Sequence, residues 1–566
     1  MASARIRGKA RRLGVQALVL AVVLAAATVV LTWPLFRHPA TTVLEAKSLY
    51  GPAATLIQRD INLTLWVLAW DTHALLSDPG RLFHANALWP APYTLALSEH
   101  MLGNVPVFAP IYMLTGNPVL AHQGTLLATF VVAGLTMAAW VLYWTGDRAS
   151  AAAAAFLFAF APYRLWQLGS LHVISIHWLP LILLGVDASV HGRAPRAGPL
   201  AVFCALLLSA ACSYYVGYAA FLLAAVYLGS GAMARGRRAR RAVGVVAGVT
   251  LLAAVAMAAL SVPYLRLRQL GMLPDHAQSG FVSLAFLAAL RDGIGGTVWR
   301  FLHPGEEGIP LYLGAAVLPL AAAGTVAHRG HPRAALLLTA ILGFVLSLGP
   351  TMATPLGMVP LPYRWLASVV PGFDAMRVPQ RFAALVTLAS VALAALGLAA
   401  CRRWLAGRGW ARIAALLPLA TVAASWLDVR PPSIAARPMP VDEAVPAAYR
   451  WLAEHGAGKP LIELPASAGA PYRQSLSMYF STFHWLPLAN GYTPYGPPTF
   501  RAIFEAAEGL PEPEALERLL DAAPLHWLLV WRAWVPQDTW PAWRATFDAR
   551  LRLVEDFGDV LLYARP

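Results

Sequence analysis

The sequence predicts an α-helical polytopic membrane protein of about 11 transmembrane helices, with a small C-terminal α/β domain outside the cytoplasm. Its composition is 58% hydrophobic and only 13% charged, whereas soluble domains carry about a quarter charged residues. Apolar stretches recur through residues 14–428, and most are long enough to cross a hydrocarbon core of ~30 Å. A large soluble core does not produce charge-free runs of this length.

Eleven apolar segments are predicted to span the membrane. They are 14–35, 119–144, 149–161, 172–190, 198–212, 213–231, 242–262, 310–327, 335–349, 382–401 and 413–429. The first follows five basic residues and has no convincing cleavage site, so we interpret it as a retained signal anchor. Residues 198–231 contain no charge and would form one helix of ~51 Å, so two short spans fit better. Residues 104–118 contain three prolines and are interpreted as a re-entrant or interfacial element that does not cross.

The distribution of basic residues predicts the orientation. The loops assigned to the inside hold 19 Lys and Arg in 52 residues, whereas the segments 36–118, 162–171, 263–309 and 350–381 hold 12 in 172. By the positive-inside rule, the N-terminus is cytoplasmic. Eleven spans then place the C-terminal region on the outer face, and we expect the protein in the bacterial inner membrane.

Charge and cysteine content exclude other classes. The net charge of +15 does not indicate nucleic-acid binding, because residues 430–566 hold 12 basic and 15 acidic residues and the basic excess lies in short loops between spans. The three cysteines lie in or beside apolar runs without a CxxC pair. Neither a disulfide framework nor a zinc site is therefore predicted.

Two domains are predicted, a transmembrane domain at 1–429 and an α/β domain at 430–566. The latter alternates helical patterns with strand-like ones. The helical patterns are 443–455, 498–508 and 512–522, and the strand-like ones are 459–464, 525–531, 550–554 and 559–563. Its Trp and Tyr content indicates that this domain rests on the membrane or on the other loops.

Acidic residues place the chemistry outside. Residues 1–429 hold 13 carboxylates; ten lie on the predicted outer face, and five of these fall in the 83-residue first outer loop, 36–118. Loops of this length are often functional. Asp60 precedes an apolar helical pattern and is either an N-cap for 61–76 or a general base at the membrane surface. Asp71 follows three turns along the same helix face.

Other outward polar residues are candidates for substrate contacts. Glu99 and His100 are adjacent and could bind a metal, a phosphate or sugar hydroxyls; the alternative is a helix cap with polar surface. Arg164 could pair with a lipid phosphate or anchor its span at headgroup level. His172 begins the next span and is a further candidate.

Two arginines at the outer end of the tenth span run against the positive-inside trend. Arg377 and Arg381 lie four residues apart and could reach one anion together, since the guanidinium fork suits phosphate. The alternative is a salt bridge to Asp374.

Ordered motifs along most of the chain resemble bacterial multi-pass membrane proteins of the GT-C-like glycosyltransferase class. The motifs are Asp60-x-Asn62-x-x-x-Trp66-x-x-x-Trp70 running into Asp71 and His73, Leu88-Trp89-Pro90, Ser98-Glu99-His100, Gly116-Asn117-Pro118, Pro162-Tyr163-Arg164, His172 with Trp178-Leu179-Pro180, Arg377-Val378-Pro379 with Arg381-Phe382, and Met478 through His484-Trp485 to Asn490-Gly491-Tyr492.

The resemblance implies a catalytic aspartate in the first external loop, where Asp60 fits, and a polyprenyl-phosphate-linked sugar as donor. Many enzymes of this class carry a tighter acidic pair there, whereas here Arg59 precedes Asp60 and the next acid is Asp71. The predicted activity is transfer of the sugar to an envelope glycan, lipid or protein acceptor. Membrane lipid is a further partner; no cofactor is required by the sequence, and a divalent metal is compatible with it.

The residue assignments follow from this hypothesis. Asp60 is the predicted catalytic base. The predicted substrate-binding residues are Asp71, Glu99, His100, Arg164, His172, Arg377 and Arg381; no metal ligand is assigned. Two alternatives stay open, a lipid or glycan transporter or flippase, which would need polar residues along a pathway within the spans, and a non-catalytic envelope scaffold.

Overall fold

A computed structural model describes residues 2–46, 54–232, 237–272, 313–354, 357–376, 378–429, 434–493 and 495–566. By its internal contacts the chain forms two compact units. The membrane unit comprises Met1–Phe36, Thr125–Ala259 and Asp275–Ile434. The loop–tail unit comprises Arg37–Gly124, Leu260–Pro274 and Ala435–Pro566. The first outer loop thus groups with the C-terminal region, whereas the predicted division at 429/430 separates them.

The membrane unit is built from apolar helices. Its described helices of eight residues or more are Ala2–Leu31, Pro118–Thr145, Arg148–Ala159, Leu179–Val190, Ala197–Cys212, Tyr214–Ala232, Arg237–Leu260, Val317–Ala327, His331–Ser347, Pro362–Val369, Ala383–Gly407 and Ala411–Val429. Short helical turns at Pro162–Leu165, Leu171–Ile174, Phe373–Ala375 and Pro379–Phe382 and a hairpin of Thr351–Thr354 with Gly357–Pro360 connect them.

Helices fall at each of the eleven predicted spans. Within the described ranges, seven helical stretches are long and apolar enough to cross a membrane: Gly14–Leu31, Pro118–Thr145, Leu171–Val190, Tyr214–Gly231, Ala239–Leu260, Pro379–Gly407 and Ala411–Asp428. The charge-free stretch 198–231 forms two helices that break at Ser213, as predicted. The chain is therefore a multi-pass membrane protein, and the count of eleven crossings stays a prediction.

Glycines permit the closest helix packing in this unit. Helices Val317–Ala327 and Ala383–Gly407 cross where Gly324 faces Gly397. A Cβ atom on Gly397 would overlap the backbone oxygen of Leu320, and one on Gly324 would overlap that of Leu393. Since lipid offers no hydrophobic drive for helices to associate, close contact of backbones supplies the dispersion energy instead.

The loop–tail unit combines short elements from three chain segments. Before the C-terminal region its elements are Thr42–Glu45, Ala54–Ser77, Pro79–Arg81, Thr94–Leu97, Leu102–Asn104, Val105–Thr115 and Val262–Gln269. The helix Val105–Thr115 has 11 residues and is about 16 Å long, too short to cross the membrane alone, which agrees with a non-crossing element. Its exposed residues Val107, Met113 and Leu114 are apolar.

The C-terminal region, which we call the tail (435–566), folds as an α/β domain as predicted. Four strands form one sheet in the order Leu461–Leu464, Trp527–Trp531, Val560–Ala564 and Arg552–Asp556. The first pair is parallel and the other two are antiparallel. The helices are Ala447–His455, Pro471–Ser481, Pro498–Glu508, Pro513–Ala522 and Trp540–Arg550, with single turns at Asp442–Ala444 and Arg532–Trp534. Two helices, Pro471–Ser481 and Trp540–Arg550, were missed by the sequence patterns.

Backbone pairing fixes these segments on one side of the membrane. Strand Thr42–Glu45 of the first outer loop pairs with Ala435–Pro438, and the Tyr264 hydroxyl donates to the Ser98 carbonyl at 2.9 Å. A bilayer cannot separate hydrogen-bonded groups, so the first loop, residues 260–272 and the tail share one face. This agrees with the predicted parity of the spans; that the shared face is the outer one stays a prediction.

Candidate functional site

The candidate site lies on helix Ala54–Ser77, which we call the loop helix. Its residues from Ile61 to Thr72 are all buried, and it packs against tail helix Pro471–Ser481 and against Val105–Thr115. Asp60 is the seventh residue of this helix. The alternative that Asp60 is an N-cap is therefore wrong, because the helix begins at Ala54 rather than at residue 61 as the apolar pattern indicated.

Asp60 is half-buried, and a tail residue holds its carboxylate. The hydroxyl of Tyr492 donates a hydrogen bond to Asp60 Oδ1 at 3.1 Å. The guanidinium of Arg59 stands over the ring of the same tyrosine, 4.7 Å from its centre. The site thus places a carboxylate, a phenol and a cation next to each other at the surface of the loop–tail unit.

On the face of the loop helix opposite Asp60, the side-chain amide of Asn62 forms hydrogen bonds with the tail. Arg437 Nη2 donates to Asn62 Oδ1 at 2.9 Å, and Asn62 Nδ2 donates to Ser475 Oγ at 3.1 Å. Asn62 has no exposed surface, so both of its hydrogen-bonding functions are used within the protein. These contacts fix the rotation of the helix about its axis and so the direction in which Asp60 points.

Asp71 lies in a different environment. It has 0% exposure, and neither of its carboxylate oxygens has a hydrogen-bond partner among the described residues. Burial raises the pKa of Asp71 well above its usual value, because desolvation disfavours the charged form. Eleven residues of helix separate it from Asp60 by about 16 Å, so the two acids do not form a catalytic pair.

The tryptophans of the loop helix serve packing. Trp66 Nε1 donates to Asn86 Oδ1 at 3.1 Å, and Trp70 Nε1 donates to the carbonyl of Leu82 at 2.8 Å. His73, one turn further, stacks on Trp485 of the tail with 4.1 Å between ring centres. The Trp-x-x-x-Trp spacing therefore holds the rest of the first loop against this helix.

The adjacent residues Glu99 and His100 lie in different environments. His100 has 0% exposure, and its ring meets those of Phe83 and Tyr264 at 6.2 Å each. Glu99 is half-buried. This placement favours a packing role for His100 and leaves Glu99 as the more accessible substrate-binding candidate.

In the membrane unit, Arg164 is fully buried, with 0% exposure. Its guanidinium donates to the carbonyls of Ile174 and Ala159 at 3.0 and 2.8 Å and to Thr129 Oγ1 at 2.8 Å. It also lies over the Phe130 ring at 4.1 Å. These contacts engage the guanidinium within the protein and do not leave its fork open for a phosphate, so they favour a structural role.

Arg381 and His172 lie close together in the membrane unit, within Coulombic range of each other. The Arg381 guanidinium stands over the Tyr215 ring at 4.3 Å, and its backbone carbonyl accepts a hydrogen bond from Tyr163 at 3.1 Å. The side chains of Arg381 and His172 are both half-buried. Arg377 falls outside the described residues, so its pairing with Arg381 stays a prediction.

Three polar residues of the loop–tail unit were assigned no role from the sequence: Tyr492, Arg437 and Glu463. Glu463 is buried, and its Oε2 accepts hydrogen bonds from Ser477 at 2.7 Å and Tyr449 at 2.9 Å. Burial raises the pKa of Glu463 to about 7, in spite of these bonds. The Asn490-Gly491-Tyr492 motif was a signal for Tyr492; nothing in the sequence linked it to Asp60.

Among the described residues, no group of three His, Cys, Asp or Glu side chains is arranged to hold a metal ion. A divalent metal therefore has no multi-ligand protein site in these ranges.

Comparison with solved structures identifies the fold. The chain is similar to the arabinofuranosyltransferase AftD from Mycobacteria, with a TM-score of 0.57 and 16% identity over 96% of this chain. An R1389S mutant of that enzyme gives a TM-score of 0.54. ArnT from Cupriavidus metallidurans and the Archaeoglobus fulgidus oligosaccharyltransferase align over 96% of the chain, with TM-scores of 0.46 and 0.45 and 14% identity each. The alignments cover 97% of the ArnT chain and 73% of the oligosaccharyltransferase chain.

The chain therefore has the GT-C fold of membrane glycosyltransferases, as the sequence motifs predicted. It spans 40% of the length of the arabinofuranosyltransferase. No family model matches the sequence. No curated protein matches it either.

Proposed function

We propose that the protein transfers a sugar from a polyprenyl-phosphate donor to an envelope glycan, lipid or protein acceptor on the outer face of the bacterial inner membrane. The observation that carries this proposal is the half-buried, tyrosine-bound carboxylate of Asp60 in a chain with the GT-C fold. The name of the similar mycobacterial enzyme makes arabinofuranose the first donor sugar to test. The acceptor class stays open.

In an inverting transfer, Asp60 takes the proton of the acceptor hydroxyl while that oxygen attacks the anomeric carbon of the donor. The bond between this carbon and the phosphate oxygen breaks, and polyprenyl phosphate leaves with the electron pair. Positioned general bases contribute about 10²- to 10⁴-fold to rates. Arg381 is the described candidate for contact with the phosphate, with His172 beside it.

The transporter alternative depends on acids within the spans, and Asp187 is such an acid among the described residues. Asp187 is fully buried, but its Oδ2 accepts hydrogen bonds from Trp140 and Trp144 at 2.9 and 2.7 Å and from Tyr227 at 3.1 Å. His331 Nε2 lies 3.2 Å from its other oxygen, so side chains of the membrane unit engage both oxygens of this carboxylate. Flipping of labelled lipid in proteoliposomes, without sugar transfer, would restore the transporter alternative.

The test is complementation of a deletion strain, with lipid-linked and envelope glycans profiled by mass spectrometry. Wild-type protein should restore a missing sugar and deplete a lipid-linked precursor. Asp60→Asn, expressed at the wild-type level, should leave the precursor accumulated. Asp78→Asn is the matched control, because Asp78 is an exposed acid just beyond the same helix. Normal glycans with Asp60→Asn would refute the base role.

A further inference from the structure

We infer that Tyr492 of the tail is a positioning residue for Asp60, so that the tail completes the active site rather than covering it. This inference rests on the proposed function, since it assigns Tyr492 to the reaction for which Asp60 is the base. The two residues are 432 positions apart, and the hydrogen bond between them is 3.1 Å long. No metal or cofactor is needed for the assignment.

The backbone around Tyr492 is held in place by the first outer loop. The amide groups of Leu88 and Trp89 donate to the carbonyls of Asn490 and Leu488 at 3.1 and 2.9 Å. Gly491 lies against the Leu88 side chain, where any Cβ atom would overlap it. The Leu88-Trp89 and Asn490-Gly491-Tyr492 motifs therefore contact each other, and their contact sets the position of the phenol.

The tail sheet supports the same segment from the other side. The buried amide of Asn490 accepts from the Glu463 backbone N–H at 2.6 Å and donates to the Glu463 carbonyl at 2.9 Å. It also donates to Gln474 Oε1 at 3.0 Å. With both ends of its amide engaged, Asn490 cannot rotate without losing buried hydrogen bonds. The backbone two residues before Tyr492 is thus fixed to the tail by buried hydrogen bonds.

This geometry has chemical consequences for the base. A hydrogen bond from a phenol favours the charged carboxylate over the protonated acid and limits its rotation, which keeps an oxygen directed at the acceptor. The Arg59 cation over the same ring, 4.7 Å away, favours donation by the hydroxyl. Throughout the transfer the phenol keeps its proton; only Asp60 exchanges one with the acceptor.

The experiment compares Tyr492→Phe with wild type and Asp60→Asn in the purified full chain reconstituted in phospholipid nanodiscs. The donor probe is farnesyl-phosphoryl arabinofuranose, supplemented by the mannosyl and glucosyl analogues, with deletion-strain envelope glycan as acceptor. Tyr492→Phe should lower kcat by about 10- to 100-fold, the value of a hydrogen bond to a charged group, while KM changes less than twofold. The acidic limb of its pH–rate profile should move to higher pH.

The matched control is Tyr563→Phe, which removes another Tyr–Asp hydrogen bond of the tail, from Tyr563 to Asp548 at 3.0 Å. It should leave kcat and the pH profile unchanged. Thermal unfolding of each variant separates a folding defect from a catalytic one. If Asp60→Asn is inactive but Tyr492→Phe keeps the wild-type kcat and pH profile, the positioning role is wrong and the proposed function stands. If Asp60→Asn retains wild-type transfer, the base role itself is wrong.

Discussion

The two units differ in how their polar side chains are enclosed. In the membrane unit, Arg164 is enclosed and its donors are engaged by carbonyls and a hydroxyl, and Asp187 receives three donors on one oxygen. In the loop–tail unit, Asp60 is half-buried and accepts a hydrogen bond from the Tyr492 phenol, while Asp71 is enclosed without a hydrogen-bond donor in the described ranges. The comparison teaches that these polar groups in the first unit support packing, whereas the second unit leaves the Asp60 carboxylate partly exposed.

The largest effect should come from the helix crossing in the membrane unit. Gly397→Ala places a Cβ atom on the Leu320 carbonyl oxygen. Because backbone atoms cannot move aside unless the helices separate, we expect the free energy of unfolding to fall by about 3 kcal/mol or more. The measurement is thermal unfolding in detergent together with expression level. Gly244→Ala is the control, because nothing lies within 4 Å of its Cβ position; equal melting temperatures for the two variants would contradict the crossing.

Arg164→Leu tests whether the membrane unit uses its arginine for packing. Removing the guanidinium leaves the Ile174 and Ala159 carbonyls without this donor, and a buried acceptor left without a partner costs about 1–3 kcal/mol. We expect a lower melting temperature, while any protein that remains folded transfers sugar at a normal rate. A variant with wild-type melting temperature and no activity would show instead that Arg164 contacts substrate, which would break the comparison.

Glu463→Gln tests the pH dependence of the loop–tail unit. The folded-state pKa of Glu463 is raised to about 7 from 4.5, so the native state binds the proton more tightly than the unfolded chain. The contribution of Glu463 to the stability of wild type should therefore be greatest below pH 4.5 and be lost as pH rises through 7. The glutamine variant lacks this loss and should be more stable above pH 7 by about 3 kcal/mol. Melting curves from pH 5 to 8 measure the difference; parallel curves would contradict it.

The smallest effect should come from Asp71→Asn. Because Asp71 is enclosed and its pKa is raised, removing its charge should leave transfer within about twofold of wild type and should not lower stability at pH 8. Asp60→Asn in the same assay provides the contrast. A large loss of transfer with Asp71→Asn, at an unchanged melting temperature, would show that the enclosed acid takes part in the reaction.

Local pattern was sufficient for most of the secondary structure. Hydropathy located the helices, and alternating patterns located all four strands of the tail sheet within two residues. The helix Pro471–Ser481 was missed because it is rich in serine and aromatic residues, which have modest helix propensity. It is stabilised by burial against the loop helix, a contact that sequence periodicity does not contain.

The candidate site was predictable only in part. The count of outward carboxylates and the length of the first loop directed attention to Asp60, but the N-cap alternative placed the helix start too late. The assignment of Arg164 to substrate rested on its position beside a span, whereas its side chain turns inward to backbone carbonyls. Side-chain direction at such positions depends on neighbours that are distant in the chain.

The sequence by itself determined that this is a multi-pass membrane protein with an α/β tail and with five acids in the first loop, because hydropathy and charge act locally and can be counted. Only the tertiary structure decided that this loop and the tail form one unit, that Asp60 is reached by Tyr492, and that Asp71 is enclosed. These facts depend on contacts across more than 400 positions of chain, which packing selects and no local pattern records.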